Sequence, residues 1–189
     1  MNASRPDPLP GAVEADRADF MAMLDHARRE SLAGKGALSD LLGLTPAELL
    51  RLAAKWHPEF VLPAALPKRG PVPQDQEDLA LLLLWRGGSG REEAQWLAQI
   101  LARRAMEPSH LWEDLGLPSR AHLGALMQRH FPRLHAANTR NMRWKRFFYR
   151  QICNDAGGTM CLAPNCDGCA EKALCFGPET SGVARAETV

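Results

Sequence analysis

No stretch of this chain sustains the alternation of branched apolar and polar side chains that a half-buried strand needs. Apolar residues recur instead at three- and four-residue intervals between Gly and Pro stops, which predicts an all-α fold: a compact multi-helix domain. A first helix is expected over 17–30, with Phe20, Met23, Leu24 and Ala27 inward, ending before Gly34 and Gly36. Thr45-Pro46-Ala47-Glu48 combines an N-cap, proline at the first helical position and an acid at the third; it opens a second helix whose apolar face reads Leu49, Leu50, Ala53 and Trp56. Five prolines between His57 and Pro73 mark a connector. A helix over 76–85 follows. Ser89-Gly90-Arg91-Glu92 reads as another capping box, opening a helix to about Met106 with Ala94, Leu97, Ile100 and Leu101 inward. Ser119 caps a helix through His130 with Leu123, Leu126 and Met127 as its stripe, and a last long helix is expected over 141–153.

Leu42-Gly43-Leu44, Leu50 and His57 match Leu115-Gly116-Leu117, Leu123 and His130 at a constant offset of 73 residues. The expected architecture is therefore a duplicated helical hairpin. The division expected from composition is a disordered N-terminal tail over 1–16, a helical domain over 17–158, a cysteine-rich loop over 159–179 and a flexible tail over 180–189.

A chain of 189 residues with 46% hydrophobic content can build an ordinary core, so it does not depend on disulfides. The polar N-terminal segment lacks the apolar region of a secretion signal, and no apolar run approaches a membrane span. A cytoplasmic protein without membrane contact is expected, in which thiols stay reduced.

That expectation bears on the C-terminal region, where Cys161, Cys166, Cys169 and Cys175 form the pattern C-x4-C-x2-C-x5-C. Thiols gathered this closely serve a metal centre or a disulfide staple, and a reducing compartment favours metal. An iron–sulfur cluster needs thiolates converging from one loop with at least one tight pair, which Cys166-Asp167-Gly168-Cys169 supplies. Structural zinc sites more often carry two such knuckles, or one knuckle and a histidine pair. Here there is one knuckle and no downstream histidine, so the spacing favours an iron–sulfur cluster over zinc. Helical DNA glycosylases share the tail of the pattern but have a six-residue first spacer, a Gly-rich hairpin and a catalytic acid. None of these stands here. The six histidines show no paired ligand spacing, and a structural role is expected for each.

Before the cysteines, residues 120–152 hold eight Lys or Arg and no Asp or Glu, although the whole chain carries a net charge of only +1. In the last helix Trp144, Phe147, Phe148 and Ile152 read as core. Arg143, Lys145, Arg146 and Arg150 read as a surface for an anion or a partner. Cys153, at the end of this helix and one turn from Tyr149, reads equally as a buried thiol or as an additional metal ligand. The alternative function is a cluster- or zinc-stabilised nucleic-acid-binding module using helix 140–152, and an electron-transfer protein is a third.

His110-Leu-Trp-Glu-Asp-Leu-Gly-Leu117, Arg-His-Phe-Pro at 129–132, Asn141-Met-Arg-Trp-Lys-Arg-Phe-Phe-Tyr-Arg-Gln-Ile-Cys153, and the cysteine pattern followed by Phe176-Gly177-Pro178-Glu179 together resemble the NifQ family of nitrogen-fixation proteins. The resemblance is close over the C-terminal half and looser before it. It implies a metal carrier, not a turnover enzyme, with Cys161, Cys166, Cys169 and Cys175 as ligands of a three- or four-iron cluster (3Fe-4S or 4Fe-4S). It further implies that the cluster holds molybdenum, taken from molybdate and passed to the nitrogenase cofactor scaffold and assembly proteins. No membrane or nucleic-acid partner is implied.

Overall fold

The Gly and Pro stops are where the chain turns. A computed structural model describes residues 11–87, 90–155, 173 and 177, and those residues are helical or irregular, with no strand among them. The helices are α1 (Ala12–Leu32), α2 (Leu38–Leu42), α3 (Pro46–Trp56), α4 (Gln74–Leu82) continued by a π turn (Leu83–Gly87), α5 (Glu92–Ala105), α6 (Leu111–Asp114), α7 (Arg120–His130), α8 (Pro132–Ala137) and α9 (Trp144–Asp155). None is long and apolar enough to cross a membrane.

Two units partition the chain, Met1–Ala137 and Asn138–Val189. The single helical domain expected over 17–158 is thus divided after Ala137. The break falls at a turn in which Asn138 accepts a hydrogen bond from the Met142 N–H (2.8 Å) and donates one to its carbonyl (2.9 Å). Asn141 in that turn has φ 51°, a left-handed conformation that Asn tolerates better than most residues.

The first unit is built on a repeat larger than the expected hairpin. α1–α2–α3 and α5–α6–α7 are corresponding triplets, each a long helix, a short helix and an eleven-residue helix in α3 and α7. At an offset of 73, buried Phe20, Met23, Leu24 and Ala27 of α1 correspond to buried Glu93, Trp96, Leu97 and Ile100 of α5. α2 and α6 start at the same offset, on Leu38 and Leu111.

After the glycines the register changes. Thr45 and Ser119 are the N-caps, and buried Leu49, Leu52, Ala53 and Trp56 match buried Leu123, Leu126, Met127 and His130, all at an offset of 74. The second triplet holds one extra residue, in Pro118-Ser119. Leu50 therefore does not correspond to Leu123 and is 52% exposed, a correction to the inward face expected for α3.

The triplets also exchange contacts. Gly43 (φ 64°) sits where a Cβ would come 2.8 Å from Arg103 Cβ and 3.0 Å from the Gln99 carbonyl oxygen on α5. Gly116 (φ 72°) sits where a Cβ would overlap Cβ of His26 on α1, with the ring Cγ at 2.8 Å. Gln99 and His26 are themselves 73 residues apart. Each turn glycine therefore packs on the equivalent place of the opposite long helix.

The proline-rich connector is strapped over the first of these junctions. Ser39 Oγ donates to the Pro67 carbonyl (2.9 Å), Arg69 donates to the Gly43 carbonyl (2.5 Å) and to Gln99 Oε1 (3.3 Å), and the Gly70 N–H donates to Asp40 Oδ1 (2.8 Å).

The cap of α3 is a full capping box: the Glu48 N–H donates to Thr45 Oγ1 and the Thr45 N–H donates to Glu48 Oε2 (2.8 Å). Thr45→Ala is expected to cost about 1 kcal/mol, read by chemical denaturation. Unchanged stability would show that Pro46 and the packing of α3 suffice without the cap. Ser89, where a capping box was expected, lies outside the described residues; α5 starts at Glu92, and its N-cap is Arg91 with no side-chain cap bond. Its first helical residues, Glu92 and Glu93, instead pair with Lys55 of α3 at 3.9 and 2.6 Å.

α1 starts at Ala12, five residues before the expected Arg17, so residues 12–16 belong to the helix and not to the tail. Gly11, with φ 79°, is the N-cap, and no Gly or Pro follows until Gly34. The remaining tail residues and the expected loop and tail over 159–189 lie outside the described residues, save positions 173 and 177.

Candidate functional site

Cys161, Cys166, Cys169 and Cys175 lie outside the described residues. What is described is the helix before them and two positions around the last cysteine. The Asn138–Met142 turn sets the start of α9, and the Phe147 N–H donates to the Arg143 carbonyl (2.9 Å), so Arg143 sits at the helix entrance. From there its Nη2 donates to the Gly177 carbonyl (3.3 Å), while the Gly177 N–H donates to the Ala173 carbonyl (2.8 Å). The backbone two residues after Cys175 is thereby tied to the first cation of the basic helix.

α9 separates its side chains by chemistry. Trp144, Phe147 and Phe148 are buried and form an aromatic cluster, Trp144 edge-on to Phe147 at 5.7 Å and tilted against Phe148 at 5.8 Å between ring centroids. Ile152, expected with them, is only half-buried. Arg146, Tyr149, Arg150 and Cys153 follow the i, i+3, i+4, i+7 spacing of one helical stripe, opposite the aromatic cluster. Arg146 is exposed; Lys145, Tyr149, Arg150 and Cys153 are half-buried. The sequence named these residues one by one. Helical phase places Cys153 on the cationic stripe.

No three His, Cys, Asp or Glu side chains gather as a metal site among the described residues. His130, for which a structural role was expected, is 1% exposed, with Nε2 2.7 Å from Asp16 Oδ1.

A charged cluster inside the first unit was not legible beforehand. Asp16 Oδ1 also accepts from Arg129 Nε (3.0 Å), Asp16 Oδ2 lies 3.6 Å from Arg91 Nη2, and Arg129 pairs with Asp19 as well. Burial pushes the Asp16 carboxyl up, but the hydrogen bonds and charges of His130 and Arg129 outweigh it and hold the group below its ordinary value. At Asp19 burial prevails over the Arg129 guanidinium and the carboxyl is raised. Asp16 and Asp19 look like solvated acids near a terminus. Their partner Arg129 stands 113 and 110 residues away, so no local spacing reveals the cluster.

Comparison with known proteins bears on this site directly. The family model described as NifQ matches residues 20–177, which includes all five cysteines. "Protein NifQ" of Rhodobacter capsulatus is 49% identical over 181 residues, covering 92% of this chain and 98% of that protein. "Protein NifQ" of Klebsiella pneumoniae is 38% identical over 167 residues, covering 82% of this chain and 99% of that protein. "Protein NifQ" of Azotobacter vinelandii is 46% identical over 104 residues, about half of each chain (54% and 53%). No solved structure matches the chain.

Proposed function

The chain belongs to the NifQ family of nitrogen-fixation proteins, and from that premise we propose that it is an iron–sulfur protein that binds molybdenum and donates it for assembly of the nitrogenase iron–molybdenum cofactor. The observation that carries this reading is the set of four thiols, spaced C-x4-C-x2-C-x5-C, that follows an acid-free basic helix tied by Arg143 to Gly177.

The donor set fits the group. Cys161, Cys166, Cys169 and Cys175 are soft ligands in one short segment, the arrangement an iron–sulfur cluster requires. When bound, such a cluster supplies sulfide to which a thiophilic metal can attach. Arg146 and Arg150 offer positive charge on the stripe that carries Cys153, which attracts molybdate, a dianion, and offsets the negative charge of thiolate ligands. Cargo must leave again, so one ligand position has to be exchangeable. Three of the loop cysteines hold iron, and the fourth or Cys153 faces the molybdenum. The chain acts as a carrier without a catalytic residue, and its partners are the scaffold and assembly proteins of the cofactor.

Anaerobic purification tests the reading: a brown protein, iron and molybdenum by elemental analysis, and an electron paramagnetic resonance signal that changes on adding molybdate are expected. A colourless zinc protein whose DNA affinity falls steeply with salt would establish the nucleic-acid-binding module instead. A coloured, reversibly reducible protein that takes up no molybdenum would establish electron transfer. Replacing the cysteines singly with Ala and measuring both metals separates their duties. Three variants are expected to lose iron and molybdenum together, and one, or Cys153→Ala, to lose molybdenum with most iron retained. Equal loss of both metals in all five would sink the division of labour.

A further inference from the structure

The sequence groups Arg143 with Lys145, Arg146 and Arg150 as one cationic surface, yet the Arg143 guanidinium meets a backbone carbonyl, that of Gly177. The place of Arg143 is well fixed. Met142 before it and Trp144 after it are both buried, and Asn138 brackets the turn that leads into them. The Arg143 side chain is itself half-buried. Gly177 is constrained as closely. Its N–H donates to the Ala173 carbonyl (2.8 Å), and a Cβ at this position would overlap that same carbonyl oxygen. Glycine alone fits here without a shift of the backbone.

The bond joins residues 34 apart in sequence, and all five cysteines lie between them. α9 carries the chain away from Arg143 for 12 residues, about 18 Å, to Asp155. Gly177 is then held back at the helix entrance. The stretch of sequence with Cys161, Cys166, Cys169 and Cys175 is therefore tied at both ends, by the end of α9 and by the guanidinium. A stretch tied at one end has many more arrangements to give up when it wraps a metal centre. Closing it beforehand removes part of that entropy cost. A guanidinium suits the task, because a charge-assisted bond to a carbonyl is stronger than one between neutral groups.

We propose that Arg143 is a positioning residue for the metal centre: by holding Gly177 at the entrance of α9, it closes the stretch that carries the four thiols into a loop and prepares them to take metal. This rests on the reading of Cys161, Cys166, Cys169 and Cys175 as the metal ligands. Arg143 acts through the backbone, as outer groups that orient ligands commonly do.

The test uses the full chain, purified without oxygen, with iron release to bathophenanthroline disulfonate as the readout. Arg143→Met keeps the aliphatic stem and removes the donor; it is expected to release iron about tenfold faster. Arg143→Lys, which can still donate one bond, should restore most of the difference. Gly177→Ala lies outside α9 and should reproduce the loss, because its methyl displaces the turn on Ala173. The combined Arg143→Met, Gly177→Ala chain should release iron no faster than the quicker single variant, since both break one closure. A second readout needs no metal: in the metal-free chain, amide hydrogen exchange over 173–177 should quicken in Arg143→Met and in Gly177→Ala. Iron release unchanged in Arg143→Met, or losses that add in the combined chain, would overturn the proposal. Should Arg143→Met unfold α9, Gly177→Ala decides: iron release at the unmodified rate would overturn it. An unmodified chain that holds iron with this dependence on Arg143 but takes up no molybdenum would strike the donor reading and leave the role of Arg143 standing. An unmodified chain that holds no metal would overturn both.

Discussion

Gly116→Ala is expected to destabilise the first unit by roughly 2–5 kcal/mol, more than the same change at Gly43 or Gly34. Two effects combine. A side chain in the left-handed region costs about 1–2 kcal/mol, and forcing a methyl into occupied space costs a further 1–3 kcal/mol or so. Gly116 meets both conditions, with φ 72° and a Cβ position that overlaps Cβ of His26. The His26 Cβ is anchored on the α1 backbone and cannot swing aside as a side-chain tip can, so the helix itself must move. Gly43→Ala meets the weaker version, 2.8 Å from Arg103 Cβ and 3.0 Å from the Gln99 carbonyl oxygen. Gly34 has φ 78° with nothing within 4 Å of a Cβ, so Gly34→Ala reports the backbone cost alone. Denaturant titrations followed by circular dichroism should rank the three Gly116, Gly43, Gly34 in order of loss. If Gly116→Ala cost no more than Gly34→Ala, the exchanged packing of the triplets would be refuted.

The same glycines show what sequence could and could not reveal. The Leu-Gly-Leu repeat was visible because the requirement for a left-handed turn is local and glycine answers it in both halves. The inward faces of α1, α5 and α7 were likewise legible, since helical period alone sorts Phe20, Met23 and Leu24, or Leu97 and Ile100, from their charged neighbours. The register of α3 was not. Leu49 and Leu50 are adjacent and alike, and only the one-residue insertion at Pro118-Ser119 decides which of them answers Leu123. Nor could the full triplet be seen, because corresponding buried positions hold Phe20 and Glu93, or Trp56 and His130, pairs with the same place but different chemistry. At the candidate site the motif and its basic helix were readable as residue types. The placing of Cys153 with Arg146 and Arg150 needed the helical phase that the buried aromatics fix. Trp85 was readable as part of an apolar run, and its exposure follows from the four-residue spacing that places it on the outward face with Glu77 and Leu81.

Asp16→Ala is expected to cost about 3–5 kcal/mol, the penalty for removing one partner of a buried ion pair and leaving the other charges without compensation. Asp16 is 1% exposed and joins α1 to Arg129 and His130 on α7 and to Arg91 ahead of α5, so its loss loosens contacts in both triplets. The pH dependence gives a second and independent readout. The Asp16 carboxyl is held below its ordinary value in the fold, so near pH 4 the unfolded chain binds more protons at this group than the folded one. Its contribution is therefore complete above about pH 4–5, where the carboxylate is ionised in both states, and is lost as pH falls through the lowered folded value. Asp19 works in the opposite sense: its carboxyl is raised by burial, so its ionisation detracts from stability as pH rises through that raised value. Comparing the unmodified chain with Asp16→Asn, which keeps the shape and leaves Asp19 in place, separates the two. The difference in unfolding free energy should be large at neutral pH and shrink towards pH 3. A difference that stayed constant across that range would show that Asp16 stabilises the fold by packing and not by charge.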